Sequence, residues 1–283
     1  MLLFFGTGVD DIIAYSNLIM AKGAWVAICT TWGREPHPRY WKSLLGLRVP
    51  GGWVYQDIQG KQGVDEGHNW LIRWFLEESG CEWMLHVDSD AVLHPGTLER
   101  LLSWDEPLVS ALAFRRKGPR CPVVYIGQVE GDEEEVFWKD LGGTRAWLET
   151  HLELLVLNGP AMVEERPDDA LIAVDRTGAH CLLTHRRVFE AMEPPWFRRV
   201  GSGAKVGSGS DFWFHREAQA AGFTSWVDRS VIAGHLNGDW CVGGLDFLAW
   251  DSITDWGEKR FVVGRERGLQ DNNENADYRT TTD

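Results

Sequence analysis

The sequence is short of basic residues and has no long apolar run. It carries 28 lysines and arginines against 42 aspartates and glutamates, so its net charge is −14. Nucleic acids are bound through basic side chains that displace phosphate counterions, so this balance disfavours, without excluding, a nucleic-acid partner. No apolar stretch approaches the roughly 18 residues of a membrane span. The sequence therefore predicts a globular protein without a membrane-spanning segment.

Cysteine is also scarce. The five cysteines lie far apart, their number is odd, and no two are spaced as C-x-x-C. This pattern indicates reduced, mostly buried thiols and excludes a disulfide scaffold or a cysteine zinc site. The apolar residues 1–5 have no basic segment before them and are followed by Asp10 and Asp11, unlike a signal peptide. We therefore expect a cytoplasmic protein, in the host cytoplasm if a phage encodes it.

Apolar residues are plentiful, at 44% of the chain, and 16 of the residues are tryptophan. Most buried aromatic side chains simply fill a core, although a flat ring with a polar edge also suits a sugar ligand. Short apolar strands alternate with amphipathic helices, a pattern typical of an α/β fold with a mixed, mainly parallel sheet flanked by helices. The predicted strands cover 25–29, 53–58, 83–87, 108–114 and 180–184, and the predicted helices 38–47, 64–78, 95–102, 186–192 and 211–221.

The chain divides into three predicted parts. Residues 1–23 form an N-terminal extension, 24–240 the main domain, and 241–283 a C-terminal extension with a polar tail. Within the main domain, residues 123–126 and 136–138 resemble the two strands of a hairpin, and 225–227 and 231–233 two short strands. The glycine- and serine-rich residues 201–209 predict a mobile loop.

Two aspartates follow the buried strand predicted at 83–87. Asp88 and Asp90 are two residues apart, so at the end of a strand they point to the same side. Two carboxylates this close repel each other unless a cation lies near them, and oxygen ligands suit Mg²⁺ or Mn²⁺. Ligands of open α/β sheets bind at the carboxyl ends of the strands, where this pair is expected. The alternative is a pair of acidic caps on the helix that follows.

Several motifs together resemble the GT-A glycosyltransferases, close to the large inverting family that includes many bacterial and phage enzymes. The motifs span residues 25–236 and occur in the family's order. They are NWLI at 69–72, WMLHVDSD at 83–90, VSALAFRR at 109–116, GAHCLLTHRRVF at 178–189, PWF at 195–197, GSDFWF at 209–214 and GHL at 234–236.

The resemblance implies a site. Asp90 would be a direct metal ligand, Asp88 would contact the metal or the donor ribose, and His235 would complete the site for Mn²⁺ or Mg²⁺. Asp211 would be the general base that takes the proton of the acceptor hydroxyl. The family has Glu-Asp where this chain has Ser210 and Asp211, which removes a second acidic group beside the base.

The resemblance also places the substrates. The implied donor-binding residues are Thr30, Thr31, Arg34, His68, Asn69, Asp88 and Ser89, and the implied acceptor-binding residues are Trp196 and Phe197. The family often has arginine where this chain has His68. Local groups of basic residues, among them 115–120, Arg198 and Arg199, are interpreted as surface charges or contacts to donor phosphates.

The implied reaction is transfer of a sugar from a nucleotide-sugar, with a UDP-sugar favoured, to an acceptor hydroxyl that the sequence does not identify. Three alternatives stay open. A sugar nucleotidyltransferase would need an early glycine-rich loop, of which Gly6–Gly8 is a poor version. A sugar-binding protein without catalysis could keep the metal site but would have no need of Asp211. A modified phage DNA base is an alternative acceptor, which the acidic composition disfavours.

Overall fold

The computed structural model describes residues 25–33, 35–59, 63–116, 120–126, 135–137, 143–199, 209–254 and 260–262. The predicted N-terminal extension, Arg34, nearly all of the loop predicted at 201–209 and most of the predicted polar tail lie outside these residues.

The described elements follow each other in this order. In the first half they are β1 (Val26–Trp32), α1 (Pro38–Leu45), β2 (Trp53–Gln59), α2 (Val64–Trp74), β3 (Trp83–Val87), β4 (Ala91–Val92), α3 (Thr97–Leu102), β5 (Leu108–Leu112), β6 (Val124–Tyr125) and β7 (Glu135–Phe137). In the second half they are α4 (Thr144–Thr150), β8 (Ala161–Met162), β9 (Leu171–Val174), β10 (Arg176–Thr177), β11 (Cys181–His185), α5 (Arg186–Glu190), α6 (Ser210–Ala220), β12 (Ser225–Ile232), β13 (Gly234–Asn237), β14 (Trp240–Val242), α7 (Gly244–Thr254) and β15 (Arg260–Val262).

The central sheet has the strand order β2-β1-β3-β11-β5-β12-β8, and β9 also pairs with β12. The strands β2, β1, β3, β5 and β12 run in one direction, while β11, β8 and β9 run against their neighbours. Both β3 and β5 are buried along their whole length, as expected of strands covered by helices on both faces. The predicted α/β fold with a mixed, mainly parallel sheet flanked by helices is confirmed.

Helix α2 packs closely against the sheet near its carboxyl edge. A Cβ atom at Gly67 would lie 2.9 Å from Cγ2 of Thr31, so the glycine permits a close approach of helix and strand. Asp65 and Glu66 in the first turn complement the helix dipole. A π-helical turn, Phe75–Ser79, continues the helix to Gly80, which ends it with a φ of 65°. The amino end of α2 is thereby fixed beside the carboxyl ends of β1 and β2, where Gly67 lies against Thr31 and Ile58.

Two local predictions are wrong. The residues expected to form one hairpin belong to different ladders, since β6 pairs with β10 and β7 pairs with β15. The two short strands expected at 225–227 and 231–233 are one continuous strand, β12, with a break in its register to β5 between Asp228 and Ile232. The division into a main domain and a C-terminal extension stays a prediction; the expected boundary after residue 240 lies within β14.

A small second sheet of β14, β13 and β4 covers the carboxyl end of β3. In this sheet Gly234 lies opposite Val92, and His235 lies opposite Ala91. Gly234 is required by space, because a Cβ atom there would lie 2.2 Å from Sγ of Cys241. Among the described helices, none is both long enough and apolar enough to cross a membrane.

Candidate metal centre and active site

The turn of Asp88, Ser89 and Asp90 is held from both sides by backbone hydrogen bonds. The amide of Asp88 donates to the carbonyl oxygen of His180 at 3.0 Å, and the amide of Leu236 donates to the carbonyl oxygen of Asp90 at 2.8 Å. The turn therefore lies between the start of β11 and strand β13. This placement brings residues from three distant parts of the sequence to one point.

His235 lies beside Asp90, as the sequence predicts. Its Nδ1 is 2.9 Å from the carbonyl oxygen of Phe114, and its Nε2 is 3.4 Å from Oδ2 of Asp90. Because a carbonyl can only accept, Nδ1 carries the hydrogen in this bond. A neutral ring then has its lone pair on Nε2, and this pattern orients many metal-binding histidines.

His180 is a member of the site that the sequence reasoning missed. Its Nε2 is 3.2 Å from the carbonyl oxygen of Gly234, and its Nδ1 is 3.3 Å from Oδ2 of Asp88 and 3.9 Å from Oδ1 of Asp90. Its ring lies 4.2 Å from that of His235. The available signal was its position directly before β11, but it is informative only once β11 is known to pair with β3.

Asp90, His180 and His235, here called the Asp–His cluster, each offer a ligand atom within 4.8 Å of the others. Asp90 and His235 are partly exposed, whereas His180 is buried. Two imidazoles and a carboxylate are a donor set that fits a divalent transition ion such as Mn²⁺ better than Mg²⁺, which prefers oxygen ligands alone. The residues present therefore fit the metal that the sequence implies.

The pKa values at the cluster follow from burial opposed by close partners. Burial alone would raise the pKa of Asp90, but the hydrogen bond that His235 donates when both its ring nitrogens carry hydrogen, together with the nearby positive charges, lowers it to about 2. For Asp88 the hydrogen bond with His180 outweighs burial, so its pKa is also lowered. Burial would lower the pKa of His180, yet Asp88 and Asp90 raise it. The site thus favours ionised carboxylates and a cation between them.

One cation already contacts the cluster. The guanidinium of Arg116, on the segment after β5, forms an ion pair with Oδ2 of Asp90. Both side chains are partly exposed, so the pair can exchange with solvent or with another ion. The basic segment recognised in the sequence thus reaches the carboxylate that is expected to bind the metal.

Asp211 lies in the first turn of α6, partly buried, and faces the same region. A Cβ atom at Gly178 would lie 3.8 Å from Oδ2 of Asp211, so the carboxylate lies against the segment between β10 and β11. Burial, the negative charge of Asp88 and the more weakly acting Asp65 raise the pKa of Asp211 to about 7. A carboxyl group titrating near neutrality is suited to accept a proton.

The residues expected to bind the donor occupy varied positions. The hydroxyl of Thr30 is buried and lies 2.5 Å from that of Tyr40, and Thr31 is also buried. Ser89 is partly buried on the turn between the two aspartates. His68 is buried, and burial lowers the pKa of its imidazole, although the negative charge of Asp88 acts in the opposite direction. The structure brings Ser89 and His68 to the site and directs the side chain of Thr30 into the interior.

Asn69 and the two expected acceptor residues form a structural unit instead of an open surface. The side-chain Nδ2 of Asn69 donates to the carbonyl oxygen of Phe197 at 2.7 Å, and its Oδ1 accepts from the backbone amide of Phe197 at 3.0 Å. Trp196 is 6% exposed and Phe197 1% exposed. The ring of Phe197 stacks on His68 and on Phe214. These contacts fix the carboxyl end of the 194–197 segment against α2 and α6.

Comparison with known proteins yields similarity in structure only. No family model matches the chain, and no curated protein matches it in sequence. The crystal structure of A197 from STIV is similar with a TM-score of 0.50 and 13% identity, covering 85% of this chain and 94% of that chain. The crystal structure of S. aureus TarS 1-349 has a TM-score of 0.40 and 10% identity, covering 74% and 59%. At 13% identity, the similarity to A197 shows a shared fold.

Proposed function

We propose that this chain is a metal-dependent glycosyltransferase that moves a sugar from a nucleoside-diphosphate-sugar to an acceptor hydroxyl. The observation that carries the proposal is the convergence of Asp90, His180 and His235 at the carboxyl edge of the sheet, within electrostatic range of Asp211. The motif order that resembles GT-A glycosyltransferases adds support, because those motifs supply all four residues.

The Asp–His cluster would hold the metal, with Asp88 beside it. When bound, a divalent cation would offset the negative charge that develops on the leaving diphosphate. The tautomer of His235 is set in advance by its bond to the carbonyl of Phe114, and that of His180 by its bond to the carbonyl of Gly234. Such fixed rings lose little freedom on binding an ion, which supports a preorganised site.

Asp211 would act as the general base. Its carboxylate takes the proton from the acceptor hydroxyl, the hydroxyl oxygen forms a bond to the anomeric carbon, and the bond from that carbon to the diphosphate oxygen breaks. A pKa of about 7 makes the group a stronger base than an ordinary aspartate. Asp88 contributes to this basicity, since its negative charge disfavours the ionised form of Asp211.

The donor would lie across the turn that carries Asp88 and Ser89, with a UDP-sugar the first candidate. Arg116 would exchange its bond to Asp90 for the donor phosphates, because guanidinium groups bind phosphate in a two-pronged geometry. His68 would influence the donor indirectly, through its electrostatic interaction with Asp88. The side chain of Thr30 points inward, so its contribution would come from the backbone at the end of β1.

The acceptor contacts expected of Trp196 and Phe197 stay a prediction. Their burial supports a different role, in which the rings hold α2 and α6 at a fixed distance. Asn69 then positions the segment through its two hydrogen bonds to Phe197.

The decisive experiment is a donor screen with Mn²⁺ that measures release of nucleoside diphosphate from common nucleotide-sugars. We expect release from at least one donor, and none above background in the Asp211→Asn variant. Release of pyrophosphate from a nucleoside triphosphate and a sugar phosphate would instead identify a nucleotidyltransferase. Donor binding without turnover in the wild type would indicate a sugar-binding protein. The proposal would be contradicted if the wild type bound no donor and released no nucleoside diphosphate.

A further inference from the structure

Two antiparallel arms, residues 113–116 and 120–123, follow β5 and are here called the arginine hairpin. Backbone hydrogen bonds of 2.8 and 3.0 Å join the arms on either side of an antiparallel bridge. The first arm ends at Arg116, and the second begins at Arg120. The hairpin thus carries an arginine at the end of each described arm.

The first arm contacts the Asp–His cluster at two points. The carbonyl oxygen of Phe114 lies 2.9 Å from Nδ1 of His235. The guanidinium of Arg116 forms an ion pair with Oδ2 of Asp90, and both side chains are partly exposed. The first contact orients an expected metal ligand, and the second places a cation at another. The position of this arm therefore affects the proposed metal site directly.

The second arm is anchored on the first turn of α7. Nη1 of Arg120 donates to Oδ1 of Asp246 at 2.7 Å. The side chain of Asp246 is only 6% exposed, so water competes less for this pair than for the more exposed pair of Arg116. Beside Asp246, the ring of Phe247 stacks on that of Phe114, with 5.5 Å between the ring centres. Helix α7 therefore contacts both arms of the arginine hairpin.

Asp246 makes more hydrogen bonds than a helix cap requires. Its Oδ2 accepts from the amide of Gly243 at 3.0 Å, as in the capping of a first helical turn. Its Oδ1 accepts from Arg120 and also from Nε1 of Trp240 at 2.8 Å. One carboxylate thus joins α7, β14 and the arginine hairpin. The cap uses one oxygen, and the other holds the hairpin.

We infer that Asp246 is a positioning residue of the active site: it fixes Arg120 and thereby keeps Arg116 beside Asp90, where it can contact the diphosphate of the donor. This inference rests on the proposed function, since it assumes that Arg116 exchanges Asp90 for the donor phosphates. A guanidinium that is held in place before binding loses less freedom on contact with a phosphate, which increases affinity.

The substitution Asp246→Asn tests the inference because charge and position predict opposite results. The change removes a negative charge, which by charge alone should strengthen the binding of anionic UDP. If Asp246 positions Arg116, the affinity for UDP in the presence of Mn²⁺ should instead fall by about two- to tenfold, the cost of ordering one long side chain on binding. Isothermal titration calorimetry measures the affinity, and thermal melting checks that each variant is folded.

Asp239→Asn provides a matched control. It makes the same charge change at an exposed position in the turn between β13 and β14, so UDP affinity should stay the same or rise slightly. Arg120→Gln breaks the ion pair from the other side and leaves the cap formed by Asp246 intact. It should weaken UDP binding as Asp246→Asn does, which keeps the test available if Asp246→Asn does not fold.

The same substitutions in an Arg116→Ala background separate positioning from a general structural effect. Arg116→Ala alone should weaken UDP binding by about tenfold, the loss expected for a hydrogen bond to a charged group. Adding Asp246→Asn or Arg120→Gln should then cause no further loss, because the side chain that they position is gone. A loss of equal size with and without Arg116 would overturn the inference.

The remaining outcomes distinguish this inference from the proposed function. Unchanged or stronger UDP binding in Asp246→Asn, with weakened binding in Arg116→Ala, would overturn the inference and leave the proposed function standing. A lower melting temperature without a change in UDP affinity would likewise reduce Asp246 to a helix cap. Wild-type protein that binds no UDP with Mn²⁺ would also overturn the inference, whereas the donor screen decides the proposed function independently.

Discussion

Two polar clusters of this chain differ in whether their carboxylates are occupied by hydrogen-bond donors of the protein or face other potential metal ligands. In the interior, Oδ1 of Asp228 accepts from the amide and the hydroxyl of Ser230, and its Oδ2 accepts from Nε1 of Trp104 at 2.7 Å. Arg100 completes this set, here called the Asp228 network, through a bond to the Ser230 hydroxyl. Asp228 is fully buried, and both of its carboxylate oxygens have donors.

The Asp–His cluster is arranged in the opposite way. One ring nitrogen of each histidine, Nε2 of His180 and Nδ1 of His235, is bound to a backbone carbonyl. The other ring nitrogen of His180 faces the carboxylates of Asp88 and Asp90, and that of His235 faces the carboxylate of Asp90. Carboxylates and imidazole lone pairs gathered without donors between them are unfavourable unless a proton, a guanidinium or a metal supplies positive charge. A carboxylate whose partners are all neutral internal donors or a fixed arginine thus marks a structural network, whereas converging carboxylates and imidazoles that require an added positive charge mark a binding site.

The largest expected effect tests the chemical side of this comparison. Asp211→Asn removes the proposed base but keeps its shape, so turnover should fall by about 10²- to 10⁴-fold, the usual contribution of a general base. Release of nucleoside diphosphate in the presence of acceptor measures the change, and UDP–Mn²⁺ affinity should stay as in the wild type. Turnover close to that of the wild type would exclude Asp211 as the base.

The structural side of the comparison is tested at Asp228. Asp228→Ala leaves Nε1 of Trp104 and the amide and hydroxyl of Ser230 without their acceptor and removes the negative charge near Arg100. The free energy of unfolding should therefore fall by about 3–5 kcal/mol. Denaturant unfolding measures the loss. Under native conditions the folded variant should keep its Mn²⁺ affinity. A loss of metal binding without a loss of stability would contradict the assignment of the Asp228 network as structural and the Asp–His cluster as the metal site.

A third prediction concerns the pH dependence of stability. The pKa of Asp211 is raised in the folded state to about 7, so the folded chain binds a proton more tightly than the unfolded chain. The stability that protonation provides is therefore lost as pH rises from about 4 through 7. In metal-free buffer at pH 8, Asp211→Asn should be more stable by about 4 kcal/mol, because each pKa unit corresponds to about 1.4 kcal/mol. This is roughly 8–16 °C in melting temperature.

That difference in melting temperature should vanish near pH 3, which lies below the pKa of Asp211 in the folded chain and below the ordinary pKa of an aspartate. If the wild type and Asp211→Asn melted at the same temperature at both pH values, the pKa of Asp211 would not be raised in the folded chain. The rate of transfer should rise with pH through about 7 in the wild type, since the base acts in its ionised form.

The smallest effect is expected at Arg116. Arg116→Ala removes the cation that competes for Asp90, so Mn²⁺ affinity without donor should rise by about 1.4- to fivefold, in line with an exposed ion pair of about 0.2–1 kcal/mol. Affinity for UDP should fall at the same time if Arg116 turns to the donor phosphates. Arg187→Ala provides a matched control, and weaker metal binding in Arg116→Ala would contradict the exchange.

The sequence predicts much of this fold because the central strands are short apolar runs between polar turns. Strand β3 has the predicted bounds, and the predicted neighbours Asp90 and His235 do meet. The hairpin prediction failed because β6 and β7 find partners far along the chain, which a local pattern cannot show. Likewise, His180 joins the site only through the antiparallel pairing of β11 with β3, a choice of neighbour set by the packing of the whole sheet.

The roles expected of Trp196 and Thr30 show a second limit. Both residue types occur at ligand sites and in cores, and the sequence around them does not separate the two environments. The structure buries Trp196, whose Nε1 donates to the carbonyl oxygen of Phe189 at 2.9 Å, and pairs Thr30 with Tyr40. Burial depends on contacts between distant elements, so it is available only from the folded chain.

The central claim is that Asp90, His180 and His235 share one divalent ion, and a Mn²⁺ titration followed by electron paramagnetic resonance tests it most directly. The wild type should bind one ion per chain, with nitrogen couplings from two imidazoles, and His180→Ala and His235→Ala should each lose one coupling and at least about tenfold in affinity. A wild type that binds no Mn²⁺ with UDP present, or an ion without imidazole couplings, would contradict the account.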